Sequence, residues 1–136
     1  MSILVRWGKF NLVGFMGFGA QLGSLAVLSR IVPGHYLIAT AIALELTLLH
    51  NFVWHVHYTW SDRREATLLA QCFRFHLSNG LVSFIGNLAL MKVLVDGAGL
   101  PILAANAIAI LCCSLINFCF SETWVFGDKR LQPRSG

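Results

Sequence analysis

Glu45 is the residue whose placement most needs explaining. It stands in the apolar run Tyr36-Leu37-Ile38-Ala39-Thr40-Ala41-Ile42-Ala43-Leu44-Glu45-Leu46, nine residues past Tyr36. At 1.5 Å of helical rise per residue that is about 14 Å into the run. A carboxylate at that depth in hydrocarbon costs about 3 kcal/mol on the mildest insertion scales, so it should face a bundle interior or water. It is either a substrate or proton site, or a hydrogen-bonded packing residue. Polar side chains of suitable type accompany it, Asn51 in the same run and Asn87, Asn106 and Asn117 in the others, with Lys92 about one turn from the end of the third run. Amides in hydrocarbon need partners, most often on an adjacent helix. Lys92 either reaches outward beside Asp96 or pairs with Glu45, roughly 8 Å deeper by helical rise.

Other residue types exclude other chemistries. His50, His55 and His57 cluster at the inner end of the second apolar run and His76 near the inner end of the third, yet no carboxylate or cysteine completes a metal-ligand spacing. Cys72, Cys112, Cys113 and Cys119 form no Cys-x-x-Cys pair and are expected to be small apolar fillers. No nucleophile and base, phosphate loop or metal set can be assembled, so we expect no catalytic residue, no metal and no cofactor. The formal charge of +4 lies beside the apolar runs and forms no basic recognition helix, which argues against nucleic acid.

The elements that must position these side chains follow from composition. With 57% hydrophobic and 12% charged residues in 136, the chain has too little polar surface to cover a water-soluble globule. Lipid is the expected solvent. About 20 helical residues cross the hydrocarbon layer, which predicts spans near Phe10 to Val32, Tyr36 to Trp54, Phe75 to Val95 and Pro101 to Phe120. Residues 1–136 are thus expected to form one all-α integral membrane domain of four transmembrane helices. The first span is too long for a signal-peptide core and should be retained. Eight of the ten Lys and Arg residues sit in the N-terminal segment, the central joint and the tail, which predicts all three to be cytoplasmic.

The chain also repeats itself. Asn51-Phe52 through Asp62-Arg63 is matched 66 residues later by Asn117-Phe118 through Asp128-Lys129, and both copies cross an aromatic patch. Leu37 to Ala43 lies over Leu103 to Ala109 at the same offset, and Lys9-Phe10 lies over Arg74-Phe75 at 65. Two parallel two-helix repeats, about 9–63 and 74–129, are the expected architecture. Leu111 is the counterpart of Glu45, so the acid belongs to one half alone. Gly19 and Gly23 make a small-xxx-small pair in span one, and Ala39 with Ala43 and Ala105 with Ala109 do so in spans two and four. Pro33-Gly34 and Gly97-Ala98-Gly99-Leu100-Pro101 close the two hairpins.

Two parallel hairpins, each opening on a base and Phe and ending on Asn-Phe, an aromatic-x-aromatic and a charged turn, make the chain resemble the GtrA-like family of small four-helix bacterial membrane proteins. The carrying residues are Lys9-Phe10, Asn51-Phe52 and Tyr58-Thr59-Trp60, then Arg74-Phe75, Asn117-Phe118 and Trp124-Val125-Phe126. The resemblance implies a multi-pass protein of the bacterial cytoplasmic membrane that acts in cell-surface polysaccharide synthesis. It implies translocation of a polyprenyl-phosphate-linked sugar to the outer leaflet. The family's base shortly after Asn-Phe is replaced by Val56 and Glu122. A lipid-phosphate contact there is either lost or taken over by His55, His57, Arg63 or Arg74.

The leading expectation is therefore a flippase whose groove is lined by Glu45, Asn51, Asn87, Lys92, Asn106 and Asn117. A non-transporting partner that recruits or stabilises a membrane glycosyltransferase is the first alternative. A small proton-coupled multidrug-type exporter is the second. Expected partners are membrane lipid, the polyprenyl-phosphate sugar, a glycosyltransferase and further copies of the chain.

Overall fold

The computed structural model describes residues 1–63 and 67–127; within its helices the side chains of Tyr36, Leu37, Thr40, Asn87, Ile102, Leu103 and Asn106 lie outside that description. The chain divides into two compact units, Met1–Arg64 and Glu65–Gly136.

In the first unit, α1 spans Ile3–Ile31 and α2 spans Tyr36–Trp54, continuing through a π-helical turn at His55–Thr59. Ser2 starts α1 by accepting the Val5 N–H on its hydroxyl at 3.3 Å, satisfying one of the donors a helix start leaves over. The chain reverses at Gly34, whose φ of 83° suits a residue without Cβ. Small residues let α1 and α2 meet closely: Ala39 and Ala43 are fully buried, as is Val13. A Cβ added to Gly17 would collide with the side-chain amide of Asn51. Gly14, Gly19 and Gly23, by contrast, have nothing within 4 Å of the position a Cβ would take.

In the second unit, α3 runs over Leu68–Gly97. Its α-helical stretches Leu68–Phe75 and Asn87–Lys92 alternate with π-helical turns at His76–Gly80, Val82–Gly86 and Val93–Gly97. Such turns are uncommon and gather at functional sites. Gly99, at φ 67°, stands in the connection to α4, Ile102–Phe120, which ends in a π-helical turn at Ser121–Val125. Gly86 admits the Cys113 side chain, whose sulfur would lie 2.9 Å from a Cβ there.

Helix α1, helix α3 and the stretch Ala107–Val125 are each long and apolar enough to cross a bilayer, with α2 as a fourth helix. Large side chains point away from both hairpins, among them Phe15 at 79% exposure and Leu69 at 83%. That much apolar surface requires lipid. The protein is a multi-pass, all-helical membrane protein; among the described residues there is no strand. α1 begins seven residues before the expected span at Phe10, and α3 begins seven before Phe75. Charge bars Arg6 and Lys9 from hydrocarbon but not from a helix, so the helices outrun the apolar runs.

Candidate functional site

At the end of the first hairpin remote from Gly34, the start of α1 meets the π-helical end of α2. Phe10 stacks on His55 with ring centroids 4.8 Å apart and planes 10° apart, and Trp60 meets both rings edge-on. His55 Nδ1 lies 3.0 Å from the Thr59 hydroxyl. Burial pushes the His55 imidazole down to about 3, with His50 adding a smaller push in the same direction. At 2% exposure and without charge, His55 has no face for a lipid headgroup and is a packing residue.

Arg6 is buried on the same side, at 3% exposure, and donates to the Asp62 carboxylate at 2.9 Å. By sequence alone it is one of the charges of the N-terminal segment. Lys9 Nζ donates to the Tyr58 carbonyl oxygen at 3.2 Å and lies 4.4 Å from the centroid of the Tyr58 ring. His57 is exposed and its Nδ1 lies 3.0 Å from the Val53 carbonyl oxygen, while Arg63 is half-buried. Asn51 is half-buried, with Oδ1 3.1 Å from His50 Nδ1.

Glu45 is exposed. The buried stripe of α2 is Ala39, Ala43 and Thr47, and Glu45, midway between the last two, falls on the opposite side at 100° per residue. Of the two surroundings expected for it, a bundle interior or water, its own hairpin does not supply the first.

The second unit repeats the aromatic end but carries more buried polarity. Phe75, Val125 and Phe126 are buried with Ser121, which stands where the first unit has His55. Arg74 is half-buried, donates to the Trp124 carbonyl oxygen at 3.4 Å and holds its guanidinium carbon 5.8 Å from the Trp124 ring centroid. Deeper in, Asn79 Nδ2 stands 3.5 Å from both the Ser78 and the Ser121 hydroxyl, and Asn117 Nδ2 donates to the Ser83 hydroxyl at 3.0 Å. Asn79 and Asn117 are buried, yet Asn117 Oδ1 accepts no hydrogen bond among the described residues. A buried acceptor left over in this way costs about 1–3 kcal/mol, which a hydroxyl donor would recover.

The structure thus pairs Asn117 with Ser83 and, one turn along the same two helices, Asn79 with Ser121, and leaves Lys92 exposed near the far end of α3. The side chains of Asn87 and Asn106 lie outside the described residues. The serines were missed because a lone Ser in an apolar run carries no periodic signal. The Lys9 and Arg74 contacts were missed although their partners, Tyr58 and Trp124, stand 66 residues apart, the offset of the repeat.

Fold and polar interior define a small helical membrane protein with hydrogen-bonding groups inside its hairpins. The chain belongs to the GtrA/DPMS transmembrane domain family, whose pattern it matches over residues 9–131. Over 107 residues it is 31% identical to the dolichol-phosphate mannosyltransferase of Pyrococcus furiosus, a match covering 76% of this chain. The chain spans about 28% of the length of that relative.

Proposed function

We propose that the chain serves polyprenyl-phosphate-sugar metabolism in the bacterial cytoplasmic membrane by carrying the sugar headgroup of the lipid carrier to the outer leaflet, with no covalent chemistry of its own. The observation that carries this reading is the buried hydroxyl and amide track of the second unit, with its leftover acceptor on Asn117. Sugar hydroxyls crossing hydrocarbon need such groups in place of water. The prenyl chain stays in lipid. Family membership and the mannosyltransferase relative support a lipid-phosphate sugar as the substrate class. Glu45, Asn51, Asn87, Lys92 and Asn106 remain candidates for the headgroup path, and His57, Arg63 and Arg74 for the phosphate.

The architecture that goes with this function is two parallel two-helix repeats with both termini and the joint in the cytoplasm. Supporting it, α2 and α4 have the same length of 19 residues at an offset of 66, and each runs into a five-residue π-helical turn. Homo-oligomers would complete the wall that four short helices leave thin. The test is Asn117→Leu in cells: outer-leaflet sugar delivery falls at least tenfold with the protein still in the membrane. Delivery at the wild-type level would remove the track from the mechanism.

One observation favours a second reading, a non-transporting partner that seats a glycosyltransferase: the mannosyltransferase relative is more than three times the length of the matching region. Co-purification of a membrane glycosyltransferase, together with absence of headgroup transfer by the isolated chain, would favour it.

A further inference from the structure

We propose that each unit carries its own clamp for the phosphate of a membrane lipid, built by Lys9 with Tyr58 in the first and by Arg74 with Trp124 in the second. The idea rests on the reading above, in that the phosphate-bearing lipid is the proposed polyprenyl carrier. The two arrangements are chemically alike. In each, a base near the start of the hairpin donates to the carbonyl of an aromatic residue in the closing π-helical turn, 3.2 Å for Lys9 and 3.4 Å for Arg74. In each the cation also lies over the ring of that residue, within the reach of a cation–π attraction.

Carbonyl capping alone would account for one N–H of each cation. An ammonium has three donors and a guanidinium five. Among the described residues the others have no protein acceptor, and neither cation takes part in an ion pair; the Asp62 carboxylate is held by Arg6. Among the described residues each charge is therefore held in place by a neutral carbonyl and a ring face, with no acid paired to it. Aromatic side chains such as these settle at headgroup depth, where phosphates lie. A fixed, uncompensated cation at that depth attracts an anionic headgroup by about a factor of five per charge.

The experiment is native mass spectrometry of the purified chain in detergent with a long-chain polyprenyl phosphate, phosphatidic acid or phosphatidylcholine, with and without millimolar inorganic phosphate. Lys9→Gln and Arg74→Gln keep a donor for the carbonyl and lose the charge, so a pure capping role would leave lipid retention unchanged. We expect the species carrying two polyprenyl phosphates to fall about fivefold in each variant and about 25-fold in the double variant, with Lys9→Arg close to wild type. Preference for polyprenyl phosphate over phosphatidic acid supports the carrier as the source of the phosphate. Equal retention of the two overturns that assignment in favour of bulk anionic lipid. Inorganic phosphate displacing both lipids overturns the lipid as the source of the phosphate, and equal retention by wild type and the double variant overturns the clamp itself. Should a variant fail to fold, the wild type still decides: retention must fall as salt is raised, and salt-independent retention contradicts the proposal. Wild-type retention without headgroup transfer in liposomes would remove the transport reading and leave the clamp; transfer without selective retention would do the reverse.

Discussion

The buried imidazole of His55 makes the first unit sensitive to acid in a defined pH window. An unfolded histidine binds its proton near pH 6.5, whereas the folded one resists until about pH 3. The folded state holds His55 neutral, so below 6.5 the unfolded state binds the extra proton and gains on the folded one. Stability from this residue is level above pH 6.5, falls as pH drops through the window from 6.5 to about 3, and is level again below it. The slope is about 1.4 kcal/mol per pH unit, which makes a loss of about 2 kcal/mol at pH 5. His55→Phe keeps a ring against Phe10 and removes the titration. The assay is unfolding of the detergent-solubilised protein followed by tryptophan fluorescence, for which Trp60, 5.3 Å from the imidazole, is a local reporter. Between pH 7.5 and 5 the wild type should lose stability along that slope, and His55→Phe should lose at least 1 kcal/mol less. Equal slopes in the two proteins would refute the reasoning.

Three further outcomes test the proposed function and fold. Glu45, exposed on α2, is kept in the proposed path as a contact for the headgroup, so Glu45→Ala should reduce outer-leaflet sugar delivery while the protein stays in the membrane; normal delivery would retire the acid from the transport path. Gly17→Ala places a methyl group against the Asn51 amide and should destabilise the solubilised protein by about 1–3 kcal/mol, whereas Gly19→Ala, with open space around it, should be neutral or slightly stabilising, as melting of the two variants will show. In a cysteine-free background, Arg63→Cys and Lys129→Cys should both react with a membrane-impermeant thiol reagent only from the cytoplasmic side; labelling from opposite sides would end the parallel-repeat reading.

Much of the fold was legible because hydropathy and repetition are strong signals in a chain of this composition. The 66-residue offset located α2 and α4, which have the bounds expected from the sequence to within a residue at each end. What a uniformly apolar helix hides is its angular orientation. Nearly every residue of α2 is apolar, so the buried stripe is marked by size rather than hydropathy, and Ala39, Ala43 and Thr47 reveal it only once the helices are packed. The side on which Glu45 falls was hidden for that reason. Burial of Arg6 depends on Asp62, 56 residues away, and no local pattern announces such a pairing. Nor does spacing reveal that α3 winds into π-helical turns, since this is a property of the backbone. The base and aromatic contacts were within reach of the repeat: Lys9 with Arg74 and Tyr58 with Trp124 stand at matched positions, and matched residues of complementary chemistry in both copies are a contact signal.

Whether the chain by itself moves a lipid-linked sugar headgroup is answered by reconstitution. The purified protein is placed in liposomes carrying a fluorescent polyprenyl-phosphate sugar, and a membrane-impermeant quencher reports how much of the label is exposed. The account predicts that label from the inner leaflet becomes quenchable in protein-containing vesicles and that Asn117→Leu slows this at least tenfold. An inner-leaflet pool that stays protected to the same extent with the wild-type protein as in empty vesicles would contradict it.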